Sequence, residues 1–213
     1  MSLQFDNTAP EKLIIKRSGQ GVKLCSSETE VHNNQLALNK IYHFPLCVYF
    51  MNSNSVLQFA NVAELNILNM LSIKDIVGLT PRDVTIKETA DFCINHDIEV
   101  MNNRKMIIKE GLFTRKDECA FPMLSFKFPW YSHDEQLMGV FGVSIMTDKK
   151  YGMSLAESMA LLTQTGLLNT ESNHDQSLPG LTYGNIYFTQ REKEILFHLV
   201  RGKSAKNIAY ILG

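Results

Sequence analysis

Cys93 and His96 stand three residues apart in ADFCINHD, one turn of a helix, where a thiol and an imidazole can reach each other as nucleophile and base. No oxyanion donor or substrate pocket is implied around them, so no enzyme is expected. Near the other end of the chain, Lys203, Ser204 and Lys206 place two ammonium groups and a hydroxyl at the predicted start of a helix. Amides at a helix start, a hydroxyl and two cations together suit an anion such as a phosphate, and none of them reads sequence. Phe126, Phe128 and Trp130 alternate along one strand and are candidates to line a small-molecule pocket between a sheet and its helices.

The remaining reactive residues are scattered. The six histidines (His32, His43, His96, His133, His174 and His198) include no H-x-x-x-H spacing, and the four cysteines (Cys25, Cys47, Cys93 and Cys119) include no C-x-x-C. No metal site, zinc ribbon or redox pair is expected. Unpaired cysteines make a reducing cytoplasm the simplest location, and no apolar run reaches the length of a membrane span.

The 213 residues suit one medium domain with a small appendage, and an apolar fraction of 45% is enough to fill a core. Formal charge is -1 over the chain, but it is divided unevenly. Phe188 to Gly213 carries five Lys/Arg against two Glu, a net +3, which leaves 16 basic against 20 acidic residues elsewhere, a net -4. The asymmetry points to an anionic partner for the C-terminal segment alone.

The elements that hold these residues follow from periodicity. Residues 4 to 27 show no sustained period and read as loose or locally folded. A helix is predicted over Glu28 to Tyr42, ended by Pro45. Leu46 to Met51 and Val56 to Ala60, joined by Asn52-Ser53-Asn54-Ser55, read as a hairpin. Helical stretches are predicted over Ala63 to Leu71 and Glu88 to Asn103, the second presenting Ala90, Phe92, Cys93, Ile94, Ile98, Val100 and Met101 as apolar surface. Between them Gly78 and Pro81 break any long helix.

Three strands follow. Met106 to Phe113 is the weakest. In Leu124 to Tyr131, Leu124, Phe126, Phe128 and Trp130 alternate with Ser125, Lys127, Pro129 and Tyr131, which predicts one apolar and one mostly polar face. Leu137 to Thr147 is apolar on both faces and requires cover on each. Ser154 to Leu168 then reads as a helix, and residues 169 to 187, with Pro179, Gly180 and Gly184, as a linker.

In the last segment Thr189 and Glu192 form a T-x-x-E capping box, Ile195, Leu196, Leu199 and Val200 repeat at helical spacing, Gly202 suits a helix end, and Ser204 caps a second helix. This tandem resembles the first half of the LuxR/FixJ-type (GerE) helix-turn-helix. The matching residues are Thr189, Arg191, Glu192, Glu194, Leu196, Leu199, Gly202, Lys203, Ser204, Lys206, Ile208, Ala209 and Leu212, with Phe188, Ile195 and Asn207 as departures. The resemblance implies DNA binding in the full-length protein, with Lys203, Ser204 and Lys206 near the phosphate backbone. In that family the sequence-reading helix comes next, so the chain is expected to stop short of it and the operator is unreadable.

Upstream, a hairpin, several short helices and three antiparallel strands come in the order of a PAS domain. The resemblance runs from about Leu46 to Asp148 and is carried by QFANVA (Gln58 to Ala63, with Asn61 where PAS sequences often have Asn), by IVGLT (Ile76 to Thr80), and by LSFKFPWY and MGVFGVSIMTD (Leu124 to Asp148). It implies an α+β fold: a PAS-like five-stranded antiparallel sheet with short helices on one face, flanking helices, and a small all-α C-terminal segment. His96 lies on the element that carries the axial ligand in haem-binding PAS proteins, but only the position matches, and haem is not expected. ADFCINHD does not supply the N-C-R-F-L-Q of photoactive flavin variants, so flavin is not expected either. No cofactor is required by the sequence.

The expected organisation is an N-terminal extension and flanking helix (1–45), a PAS-like sensor (46–150), a connecting helix (151–168), a linker (169–187) and a partial helix-turn-helix (188–213). The expected function is that of a cytoplasmic bacterial transcription regulator, a homodimer in which a PAS domain with a possible small-molecule ligand controls DNA binding. The alternative is a PAS-type ligand-binding or protein-interaction module that does not bind DNA.

Overall fold

A computed structural model describes residues 13–26, 36–148, 153–168, 182–183, 186–187 and 209–210. The chain begins with a hairpin, β1 (Leu13–Ser18) and β2 (Gly21–Ser26), then a short β3 (Leu36–Ala37) and α1 (Leu38–Tyr42). Next come β4 (Cys47–Asn52), β5 (Leu57–Ala60), α2 (Val62–Leu68), a 3-10 turn (Ile73–Asp75), α3 (Pro81–Val84) and α4 (Lys87–Asn103). The strands β6 (Ile107–Thr114), β7 (Ala120–Tyr131) and β8 (Leu137–Met146) lead to α5 (Leu155–Gln164), and a small hairpin is formed by β9 (Thr182–Tyr183) and β10 (Ile186–Tyr187).

The central five strands run in the order β5-β4-β8-β7-β6, every neighbouring pair antiparallel. This is the expected PAS-like α+β arrangement. The sheet is larger than five strands because the N-terminal hairpin joins it. Residues Ala120 to Lys127 of β7 pair with β6, whereas Trp130 and Tyr131 pair in parallel with Val22 and Lys23 of β2. Of residues 4 to 27, read as loose or locally folded, the described residues 13–26 form a hairpin that extends the sheet. Gly21 permits the docking: a Cβ there would sit 2.4 Å from the Pro129 carbonyl oxygen and 2.6 Å from the Tyr131 ring. The helix predicted over Glu28 to Tyr42 is helical within the described residues only from Leu38.

Asn61 ties the hairpin strands to α2. It is fully buried and caps α2, its Oδ1 accepting from the Glu64 amide at 3.0 Å and from the Val48 amide at 3.0 Å. Its Nδ2 points the other way and donates into the carbonyls of Leu46 (2.8 Å), Phe44 (3.0 Å) and Ile41 (3.2 Å), all on the segment leading into β4. One amide side chain thus bonds to buried backbone groups of three elements, the Ile41 carbonyl also accepting from the Phe44 amide. Helices α3 and α5 also have side-chain bonds at their starts. Asp83 reaches back to the Thr80 amide with Pro81 in the first turn, and Ser154 and Glu157 form a capping box at the start of α5.

Both faces of the sheet are covered, as β8 requires. On one face Phe50, Phe126, Phe128, Trp130, Phe141, Val143 and Ile145 pack beneath β1, β2, α1 and α5, which contribute Ile15, Val22, Ile41 and Leu162. Trp130 is almost wholly buried and its indole N–H donates to the Met51 carbonyl at 2.8 Å. On the other face Tyr49, Met51, Met123 and Val140 pack against Leu65, Leu68, Val84, Cys93 and Val100 of α2, α3 and α4. Helix α4 lies with Thr89, Ala90, Cys93, His96, Asp97 and Val100 inward, a spacing of three and four residues that leaves Ile98 outside. Among the described residues no helix is long and apolar enough to cross a membrane.

Candidate ligand cavity

The mostly polar face of β7 is buried like its apolar one. Ser125 is fully buried and Lys127 is 2% exposed, because α4 lies across them. The Lys127 ammonium donates to Asp97 Oδ1 at 2.5 Å and to the Cys93 carbonyl at 3.1 Å, both on α4. It also stands 5.8 Å from the centre of the Tyr49 ring. Burial, the largest effect, would lower its pKa, but the Asp97 carboxylate together with Tyr49 and Cys93 outweighs that and holds the lysine charged, above its ordinary value. The other oxygen of that carboxylate, Asp97 Oδ2, has no hydrogen-bond partner among the described residues.

Beside this ion pair lies a cavity of about 40 Å³ between the sheet and α2, α3 and α4. Its polar wall is formed by Tyr49, Glu64, Cys93, Lys127 and Ser144, and its apolar wall includes Met51, Leu57, Leu68, Met123 and Met146. Glu64 projects from the first turn of α2. Burial pushes its carboxyl up to about 7, an effect partly offset by the Cys47 thiol within hydrogen-bonding reach and by the Lys127 charge. Tyr49 Oη is 3.4 Å from Ser125 Oγ, and burial pushes the phenol up to about 12. A second space of about 50 Å³ lies beneath α5, lined by Cys47, Met153 and Ser158, and shares Ile67, Ser144 and Met146 with the first.

Phe126, Phe128 and Trp130, the candidates for a pocket lining, face away from this cavity into the core under α5 and the N-terminal hairpin. The strand is the expected one, but the cavity belongs to its alternate residues. Cys93 does reach the wall, whereas its expected partner does not join it in chemistry. His96 Nε2 faces the Ile107 carbonyl at 3.2 Å and acts as donor there, which leaves Nδ1 without a partner. Burial, then the Lys127 and Lys109 charges, push the imidazole down to about 2, and burial pushes the Cys93 thiol up to about 11. A neutral imidazole bonded elsewhere and a protonated thiol do not form a nucleophile and base. Lys203, Ser204 and Lys206 lie outside the described residues. Among the described residues no three His, Cys, Asp or Glu side chains converge to hold a metal ion.

Glu64, Asp97 and Lys127 went unrecognised in the sequence. Asp97 was the available signal: a carboxylate on the helix facing a strand that carries a lysine on alternate register.

The fold and the cavity together define a PAS-like domain with a charged interior site. No protein-family model and no curated protein sequence matches the chain significantly. Similar solved structures include a VqmA–ligand–DNA complex from Vibrio cholerae, at 21% identity over 84% of this chain and 74% of that one with a TM-score of 0.49. They also include a phage VqmA–DPO complex, at 21% identity over 83% and 70% with a TM-score of 0.46. A third is the PAS domain of a protein from Colwellia psychrerythraea, at 13% identity over 52% and 94% with a TM-score of 0.45. At these identities and scores the likeness says nothing of what this chain binds.

Proposed function

We propose that the chain is a small-molecule sensor in which the PAS-like domain controls a LuxR/FixJ-type DNA-binding segment, acting as a homodimer in a bacterial cytoplasm. The observation that carries the sensing half is the cavity between the sheet and α4, walled by Glu64 and by Lys127 in its buried pair with Asp97. Buried charges cost stability that apolar residues of similar volume would not. Charges set at the wall of a cavity suit a polar ligand, which gains more from them than the fold does.

The regulatory half rests on the sequence of residues 189 to 212, where the capped helices and the Lys203, Ser204 and Lys206 cluster resemble a backbone-positioning unit. A ligand shifts such a system only by the difference between its affinities for the two states of the dimer. The test is fluorescence anisotropy of the full-length protein on a DNA duplex at several salt concentrations. Binding should weaken linearly on a log–log plot, and Lys203→Ala and Lys206→Ala should each reduce the slope by about 1. Binding that ignores salt, or no binding, overturns the DNA-binding half.

A further inference from the structure

The cavity wall holds one carboxyl group, that of Glu64, and one ammonium. Its one ammonium, on Lys127, is committed to Asp97 and to the Cys93 carbonyl. The hydroxyls of Tyr49 and Ser144 both lean on Ser125. Glu64 is 8% exposed, lines the cavity, and has the Cys47 thiol, a weak donor, within reach. Among the described residues no lysine, arginine or histidine forms an ion pair with it. With Glu64 ionised, the buried set of Glu64, Asp97 and Lys127 carries one uncompensated negative charge, since His96 is held neutral.

We propose that the ligand of this cavity is a small organic cation, a primary ammonium or amidinium with a short apolar tail, whose N–H groups bind Glu64. This rests on the sensor reading above and names the chemistry of its ligand. The cation would bring the buried set to neutrality and supply the strong donors that the thiol cannot, in a setting where charge-assisted bonds are about twice as strong as neutral ones. The tail faces Met51, Leu68, Met123 and Met146, flexible side chains that reshape around what they enclose. A space of about 40 Å³ admits a few non-hydrogen atoms without rearrangement and is well below the roughly 150 Å³ that accepts benzene.

The experiment titrates the full chain with ethylammonium, ethanol and acetate at equal ionic strength and pH 8, followed by amide ¹H–¹⁵N NMR. Ethylammonium should move the amides of Asn61 to Leu65 and of Lys127 saturably, with ethanol and acetate at least about tenfold weaker, and Glu64→Gln should abolish the preference. The three probes on the unaltered chain decide the matter even if Glu64→Gln fails to fold. If ethanol or acetate binds as tightly as ethylammonium, or Glu64→Gln keeps the preference, the cation assignment is wrong while small-molecule sensing stands. If no probe moves a residue of the cavity wall, the space is ordinary core and both fall.

Discussion

Lys127 Nζ lies 2.5 Å from Asp97 Oδ1 with the two side chains 2% and 0% exposed, so the ion pair that joins β7 to α4 is sealed from water. Removing one partner strands the other. Asp97→Ala leaves a buried ammonium with only the Cys93 carbonyl and should cost about 3–5 kcal/mol. Asp97→Leu combined with Lys127→Met removes both charges and should recover most of that loss. Urea denaturation of the single and double variants measures the difference, and a double variant as unstable as Asp97→Ala would show that the pair itself stabilises the fold.

Asn61 makes a sharper case, because its five side-chain contacts all go to backbone groups on the segments it joins. Asn61→Asp keeps the acceptor that caps α2 but aims a carboxylate oxygen at the carbonyls of Leu46, Phe44 and Ile41. It should therefore be at least as damaging as Asn61→Ala, on the order of 3 kcal/mol or more, although Asp is as good a cap as Asn on an isolated helix. Thermal unfolding of the two variants compares them, and an Asn61→Asp protein near wild-type stability would mean that the three carbonyl contacts contribute little.

Much of the fold could be read from the sequence because its signals are local. The hairpin at Asn52 to Ser55, the break at Gly78 and Pro81, the long α4 and the doubly apolar β8 each follow from periodicity or turn chemistry. The alternation in Leu124 to Tyr131 was equally clear, but alternation separates apolar from polar faces and does not say where water is. Ser125 and Lys127 share a polar face that α4 covers, and only the pairing with Asp97, 30 residues away in sequence, makes that tolerable. For the same reason the cavity was assigned to Phe126, Phe128 and Trp130, one residue out of phase. The N-terminal hairpin was missed because Lys16, Arg17 and Lys23 interrupt its apolar pattern. Those charges are accommodated at its periphery, with the Arg17 guanidinium 4.7 Å above the Phe128 ring and the Lys23 ammonium paired with Glu135.

Gly142 and Tyr49 sit opposite each other on β8 and β4, and the Tyr49 ring occupies the place a side chain on Gly142 would need. A Cβ on Gly142 would fall 2.2 Å from Tyr49 Cζ, so the ring must leave its place. Gly142→Ala should cost about 1–3 kcal/mol by overpacking. Combined with Tyr49→Leu the cost should be less than the sum of the two single changes, because the shorter side chain vacates the contact. Chemical denaturation of the three variants closes the cycle, and strict additivity would place the strain elsewhere.

Glu64 and His96 titrate against each other. Burial raises the Glu64 pKa to about 7 from an ordinary 4.5, so the folded chain holds a proton that the unfolded chain has lost, and stability falls as pH rises through that window. Burial, with the Lys127 and Lys109 charges, depresses His96 to about 2 from 6.5, so the unfolded chain binds the extra proton and stability falls as pH drops below 6.5. Between about pH 4.5 and 6.5 the two slopes are each about 1.4 kcal/mol per pH unit, opposite in sign, and they cancel. Glu64→Gln exposes the histidine slope, and that variant should lose about 2 kcal/mol on going from pH 6.5 to pH 5 relative to the parent chain. His96→Phe exposes the carboxyl slope and should gain stability over the same interval. Denaturant midpoints at pH 5, 5.75 and 6.5 separate the two, since a cost from altered packing shifts all three midpoints together and a titrating group tilts them.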